Sequence, residues 1–116
     1  MREDRLLVQD VLDAVTEVID TTPSNRADFD ANKLVQSHVL RHIQIIGEAC
    51  WRISQPVKDQ HPQVPWRLIA GMRHVLVHDY FQVNWDRVYD TARNHVPMLK
   101  GQLDAVLASL PPTSPP

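Results

Sequence analysis

The chain has 116 residues, 43% of them hydrophobic, which is enough for one modest core and too little for two independent ones. Twelve basic residues against 14 acidic ones leave a formal charge of -2, so a global attraction to nucleic acid or anionic membrane is excluded and any phosphate contact has to be local. No stretch approaches the roughly 20 apolar residues of a membrane span, and the opening MREDRLLVQD lacks the apolar run and small-residue cleavage site of a secretory signal, so a soluble, cytoplasmic protein is expected.

Three glycines and little period-2 alternation argue against a sheet, whereas apolar residues recur every three or four positions in long blocks. The first block, residues 3–20, carries Leu7, Val11, Val15 and Val18 on one face, and TTPSNRAD then supplies breakers. The second, residues 29–54, forms a broad stripe from Val35, Val39, Ile43, Ile46, Ala49, Cys50 and Ile53, ended by QPVKDQHPQVP. Cys50, the single cysteine, has no internal disulfide partner and suits a reducing compartment; its place in the stripe reads as packing. Pro65 fits the first turn of a third helix running to about residue 78. Asn84 is a plausible N-cap for a fourth, containing Val88 and Ala92. Pro97 then either kinks that helix or starts a fifth through Leu99, Leu103, Val106 and Leu110. The expectation is one all-α domain over residues 1–110, an antiparallel four- to five-helix bundle, followed by a disordered proline-rich tail at 111–116.

The third helix contains the segment GMRHVLVHDYF, residues 71–81. At about 100° per residue, Arg73 shares a stripe with Ile69, Val77 and Tyr80, while His78 lies about 140° away on the flank of His74 and Arg67. A guanidinium on an apolar stripe needs an anion or dense hydrogen bonding to offset its desolvation. Two readings follow. In one, Arg73 pairs with an acid such as Glu48 of the second helix while its methylene stem packs; Tyr80 is then a core aromatic and His78 a solvated histidine near a helix end. In the other, imidazole and guanidinium supply the proton acceptor, proton donor and cation that phosphodiester cleavage requires. One copy offers a diverging pair, and a two-fold dimer can make two copies converge across a groove.

Metal binding is the competing chemistry, because His74 and His78 stand at i and i+4. Two ligands are too few, no Glu follows His74 as in a metalloprotease helix, and a third ligand from His38, His42 or His95 would depend on tertiary placement. No metal or other cofactor is therefore assigned here. The His38 and His42 pair reads as a helix surface or an interface.

The spacing Arg73, four residues, His78, one residue, Tyr80 spells R-x-x-x-x-H-x-Y, and with the flanking VPWRLIAGMRHVLVHDYF and VLRHIQIIGEACWRIS it resembles the HEPN superfamily, specifically the HepT-type toxins of prokaryotic toxin-antitoxin pairs. The likeness covers about residues 35–100. It implies an antiparallel helical bundle that forms a homodimer with the motif helices at its interface. It further implies metal-independent endoribonuclease activity on RNA, with Arg73 and His78 catalytic and His74 helping to position phosphate. A small nucleotidyltransferase antitoxin is the implied partner, transferring AMP to Tyr80. Two other readings stand beside the toxin: an idle HEPN module that binds RNA or nucleotide, and a structural partner whose motif stabilises a dimer.

Overall fold

A computed structural model of the chain describes residues 2–75 and 82–112. The regular elements among them are helical: α1 (Asp4–Thr21), α2 (Arg26–Asp30), α3 (Lys33–Arg52), α4 (Gln55–Gln60), α5 (Trp66–Val75), α6 (Trp85–Asp90), a π-helical turn (Thr91–His95) and α7 (Val96–Ser109). The protein is all-α. The expected stripe of α1 is buried throughout and is widened by Val8, Leu12 and Ala14, which lets one helix pack against two others. Its start meets the end of α3, where Asp4 accepts hydrogen bonds from the Ser54 amide (2.8 Å) and hydroxyl (2.6 Å). Its end meets the start of α3, where Glu17 accepts from His38 Nε2 at 3.0 Å. On the other side Arg5, at the start of α1, reaches the carbonyls of Leu107 and Leu110 at 3.5 Å near the end of α7. Both α3 and α7 therefore run antiparallel to α1, and their apolar stripes close on a shared core with Ile43, Ile46, Leu103 and Val106.

Two short helices occupy segments read as breakers or as helix interior. The Asn32 side chain accepts from the Val35 amide at 3.1 Å and starts α3 there, so Phe29 lies outside the long helix. It belongs instead to α2, capped by Asn25 through the Asp28 amide at 2.9 Å. Fully buried, Phe29 pins this element against Trp85 (6.2 Å between ring centroids) and Tyr89 (5.0 Å). The segment after α3 makes α4, with Pro56 in its first turn, where its missing N–H leaves no helical bond unmade.

Asn84 caps α6 as expected, accepting from the Arg87 amide at 3.1 Å. The chain then passes Pro97 without restarting. Proline cannot donate to the carbonyl four residues back, and its ring crowds that carbonyl. The turn before it widens accordingly, so that the Val96 amide bonds to Thr91 five residues earlier, and α7 continues the same rod. Helix α5 starts at Trp66, one residue later than read, with the Pro65 carbonyl accepting from the Ile69 amide at 3.0 Å. The expected end of this helix near residue 78 lies outside the described residues, as do tail residues 113–116.

Cys50 is fully buried, and burial pushes its thiol up to about 12 from an ordinary 9.0. It is a packing residue. The folded thiol keeps its proton where an unfolded one loses it, so its contribution to stability is intact below about pH 9 and is lost as pH rises towards 12. Denaturant midpoints for the wild-type chain should therefore fall more steeply over that window than those of Cys50→Ala. Parallel slopes would show that the thiol ionises as easily in the folded chain as in the unfolded one.

Candidate active site

Helix α5 lies against α3 at Gly47. A β-carbon at that position would stand 2.6 Å from the Arg73 backbone nitrogen and 3.2 Å from the Ile69 carbonyl oxygen, so only glycine lets the two backbones approach this closely. Ile69 and Met72 face inward and are buried, which orients the helix. Arg73, next along the turn, then emerges at the edge of the contact with its side chain 23% exposed.

What surrounds that guanidinium decides what it can do. Its Cζ lies 4.2 Å from the centroid of the Trp51 ring, a cation-π stack on an indole that is itself 54% exposed. Arg73 Nη1 stands 3.6 Å from Glu48 Oε2, so the partner read from sequence is the one observed. That separation makes an ion pair and is too long for a hydrogen bond. Glu48 meanwhile binds Arg52 through its other oxygen at 3.1 Å. The carboxylate is shared, and the planar donor array of Arg73 is held by stacking more than by hydrogen bonding.

His74 is exposed, and Arg73 and His74 together border two surface depressions of about 690 and 310 Å³. Lys58 and Arg67 join them at the larger, where the described acid is Asp59; Arg41 joins them at the smaller, opposite Glu48. Although the chain is negative overall, Arg41, Lys58, Arg67 and Arg73 meet around α5, and a local cluster of this kind can attract a phosphate.

The family model for HepT-like ribonucleases ("Ribonuclease HepT-like") matches residues 11–106, which takes in α3, α5 and this contact. The chain belongs to the HepT-like ribonuclease family. Among relatives, a Methanocaldococcus jannaschii protein named "Putative RNase" is 29% identical over 110 residues, covering 94% of this chain and 95% of its own. A Thermococcus cleftensis protein named "Probable ribonuclease HepT" is 40% identical over 77 residues, 66% of this chain and 70% of its own. No solved structure matches the chain.

Of the four site residues expected from the HepT-like motif, Arg73 and His74 are adjacent and open to the same depressions. His78 and Tyr80 lie outside the described residues. The other histidines have partners of their own: His95 bonds Asp90 at 3.2 Å, His61 the Ser109 hydroxyl at 2.9 Å, His38 Glu17 of α1 at 3.0 Å, and His42 the His38 carbonyl at 2.8 Å. Sequence reasoning missed Trp51, Lys58 and Arg41, which reach the site from elsewhere in the chain. It also missed Gly47, although a lone glycine inside a strong helical pattern is a signal of close packing.

Proposed function

We propose that this chain is a metal-independent endoribonuclease, the toxin of a toxin-antitoxin pair, acting as a homodimer whose two motif helices share one site. Family membership supports the ribonuclease reading. The observation that carries it is Arg73, stacked on Trp51 and loosely paired with a shared Glu48, at the rim of a depression with His74, Lys58 and Arg67. A purely structural arginine would spend its donors on its neighbours. This one is held flat by the Trp51 stack while it lines the depression, an arrangement suited to phosphate oxygens.

In the proposed reaction an RNA 2′-hydroxyl attacks the adjacent phosphorus. One imidazole takes the hydroxyl proton, the bond to the 5′ oxygen breaks, and an acid returns a proton to that leaving oxygen. The products are a 2′,3′-cyclic phosphate and a 5′-hydroxyl. His78 handles protons, its counterpart in the second copy supplying the other transfer, and Arg73 stabilises the charge developing on phosphorus. His74 positions the phosphate. The exposed face of Trp51 offers a stacking surface for an unpaired base.

Silencing follows from the same site. A partner nucleotidyltransferase transfers AMP to Tyr80, setting bulk and negative charge where RNA phosphate must bind. The test is direct. The purified chain in EDTA should cut end-labelled RNA to products with cyclic phosphate and 5′-hydroxyl ends, and should scatter as a dimer. After co-expression with a nucleotidyltransferase encoded beside it, its intact mass should rise by AMP units, an increase lost in Tyr80→Phe. Tight RNA binding without cleavage would favour the idle module, to which the exposed Trp51 is equally suited.

A further inference from the structure

We propose that Glu17, His38 and His42 form a binding site for a borderline divalent transition ion such as zinc, on the α1–α3 face and built from none of the residues assigned to RNA cleavage. His38 and His42 stand one turn apart on α3, and the antiparallel pairing of α1 brings Glu17 over them. One ligand atom from each residue lies within 4.8 Å of the others. Atoms bound to one zinc at about 2.0–2.2 Å sit roughly 3.4 Å apart at a tetrahedral edge. His38 Nε2 and Glu17 Oε2, at 3.0 Å, are already close to that separation.

The histidines are also prepared for the role. A backbone carbonyl only accepts, so the 2.8 Å contact between His42 Nδ1 and the His38 carbonyl means that Nδ1 carries the proton. In the neutral ring this leaves the lone pair on Nε2, and this ring-to-carbonyl bond is the outer support that metal-binding histidines characteristically have. The His38 ring packs on that of His42 with centroids 4.1 Å apart, which limits the rotation of both. Glu17 and His42 border a depression of about 430 Å³ that gives a solvent ligand access to the fourth position. Two arginines line it, Arg2 paired with Asp10 and Arg52 with the Glu48 that Arg73 shares, against four carboxylates, Asp10, Asp13, Glu17 and Glu48; Asp13 accepts from the neutral amide of Gln9 at 3.4 Å. The wall is therefore favourable to a cation.

Two imidazoles and one carboxylate select a zinc-like ion over magnesium or calcium, which prefer oxygen shells. The ion would replace the proton that His38 now shares with Glu17 and would clamp α1 to α3. The full-length chain, stripped with EDTA and dialysed, should take up one equivalent of ZnCl2 by calorimetry and melt at a higher temperature with it, while MgCl2 leaves the melt unchanged. His38→Ala, His42→Ala and Glu17→Gln should each weaken zinc binding by at least about tenfold. His61→Ala and His95→Ala should bind as the wild type does. All five substitutions fall on partly or fully exposed positions, and a far-UV spectrum matched to wild type qualifies each variant. Absence of zinc uptake by the wild-type chain, or undiminished uptake in qualified His38→Ala and His42→Ala, overturns the site.

Discussion

Arg73→Ala is expected to slow RNA cleavage by at least about a hundredfold, the usual loss when one donor to a developing oxyanion is removed. The same substitution should leave the chain folded. The structural contribution of Arg73 is a stack on a half-exposed indole, on the order of 0.5–1 kcal/mol, and an ion pair of 3.6 Å with a half-exposed carboxylate, at most about 1 kcal/mol. Together these are small beside the 5–15 kcal/mol that usually separates a folded domain from its unfolded chain. A structural arginine predicts the opposite pattern, a lower melting temperature with unchanged cleavage. His78→Ala should show a comparable loss of rate, because removing a proton-transfer group typically costs about 10²–10⁴-fold. Arg73→Lys separates charge from shape: it keeps the cation but loses the flat fork and much of the stack, so partial activity is expected. If cleavage survives both alanine substitutions in folded protein, the catalytic assignment fails. If induction of those variants without a partner nucleotidyltransferase still slows growth as wild type does, the toxicity does not run through Arg73 and His78, and the catalytic assignment fails on that count as well.

Much of this architecture was legible because helices announce themselves through spacing. Leu7, Val11, Val15 and Val18 define α1 without any tertiary information, and all four are buried. Asn84 as the cap of α6 was equally readable, since an amide side chain before an apolar run has one efficient use. The same logic applied to Asn25 and Asn32 would have separated α2 from α3, and it was the broad apolar pattern through Phe29 that concealed the break. At Pro97 the pattern offered a kink or a new helix, because a five-residue turn leaves no distinct periodic trace. The ion pair between Arg73 and Glu48 could be anticipated from two helices whose buried faces had to meet. Trp51, Lys58 and Arg41 could not: their convergence on Arg73 depends on the rotation and offset of α3 and α4 against α5, which residue spacing within one helix does not encode.

Gly47→Ala should destabilise the chain and misplace Arg73, whereas the chemically identical change Gly101→Ala should stabilise it. Alanine is favoured over glycine within a helix by about 1 kcal/mol at either site. At Gly101, on α7, an added β-carbon meets nothing within 4 Å, so the propensity gain stands alone. At Gly47 the same atom would lie 2.6 Å from the Arg73 backbone nitrogen and 3.2 Å from its β-carbon. Backbone cannot rotate aside as a side-chain end does, so α5 must shift outward as a unit. Overpacking costs about 1–3 kcal/mol, and a 2.6 Å approach to backbone belongs in the upper part of that range, about 2–3 kcal/mol, so after the propensity gain a net loss of roughly 1–2 kcal/mol remains. The displaced element carries Arg73 and His74, so cleavage should fall by about tenfold or more even at temperatures where the variant is fully folded, since small misplacements of reacting groups are costly. Thermal melts and RNA cleavage on the two variants give the answer together. Equal melting shifts of the same sign would mean that α3 and α5 are not in contact at Gly47; normal cleavage in a destabilised Gly47→Ala would mean that α5 can move without disturbing the chemistry, and that Arg73 is not what the glycine is there to place.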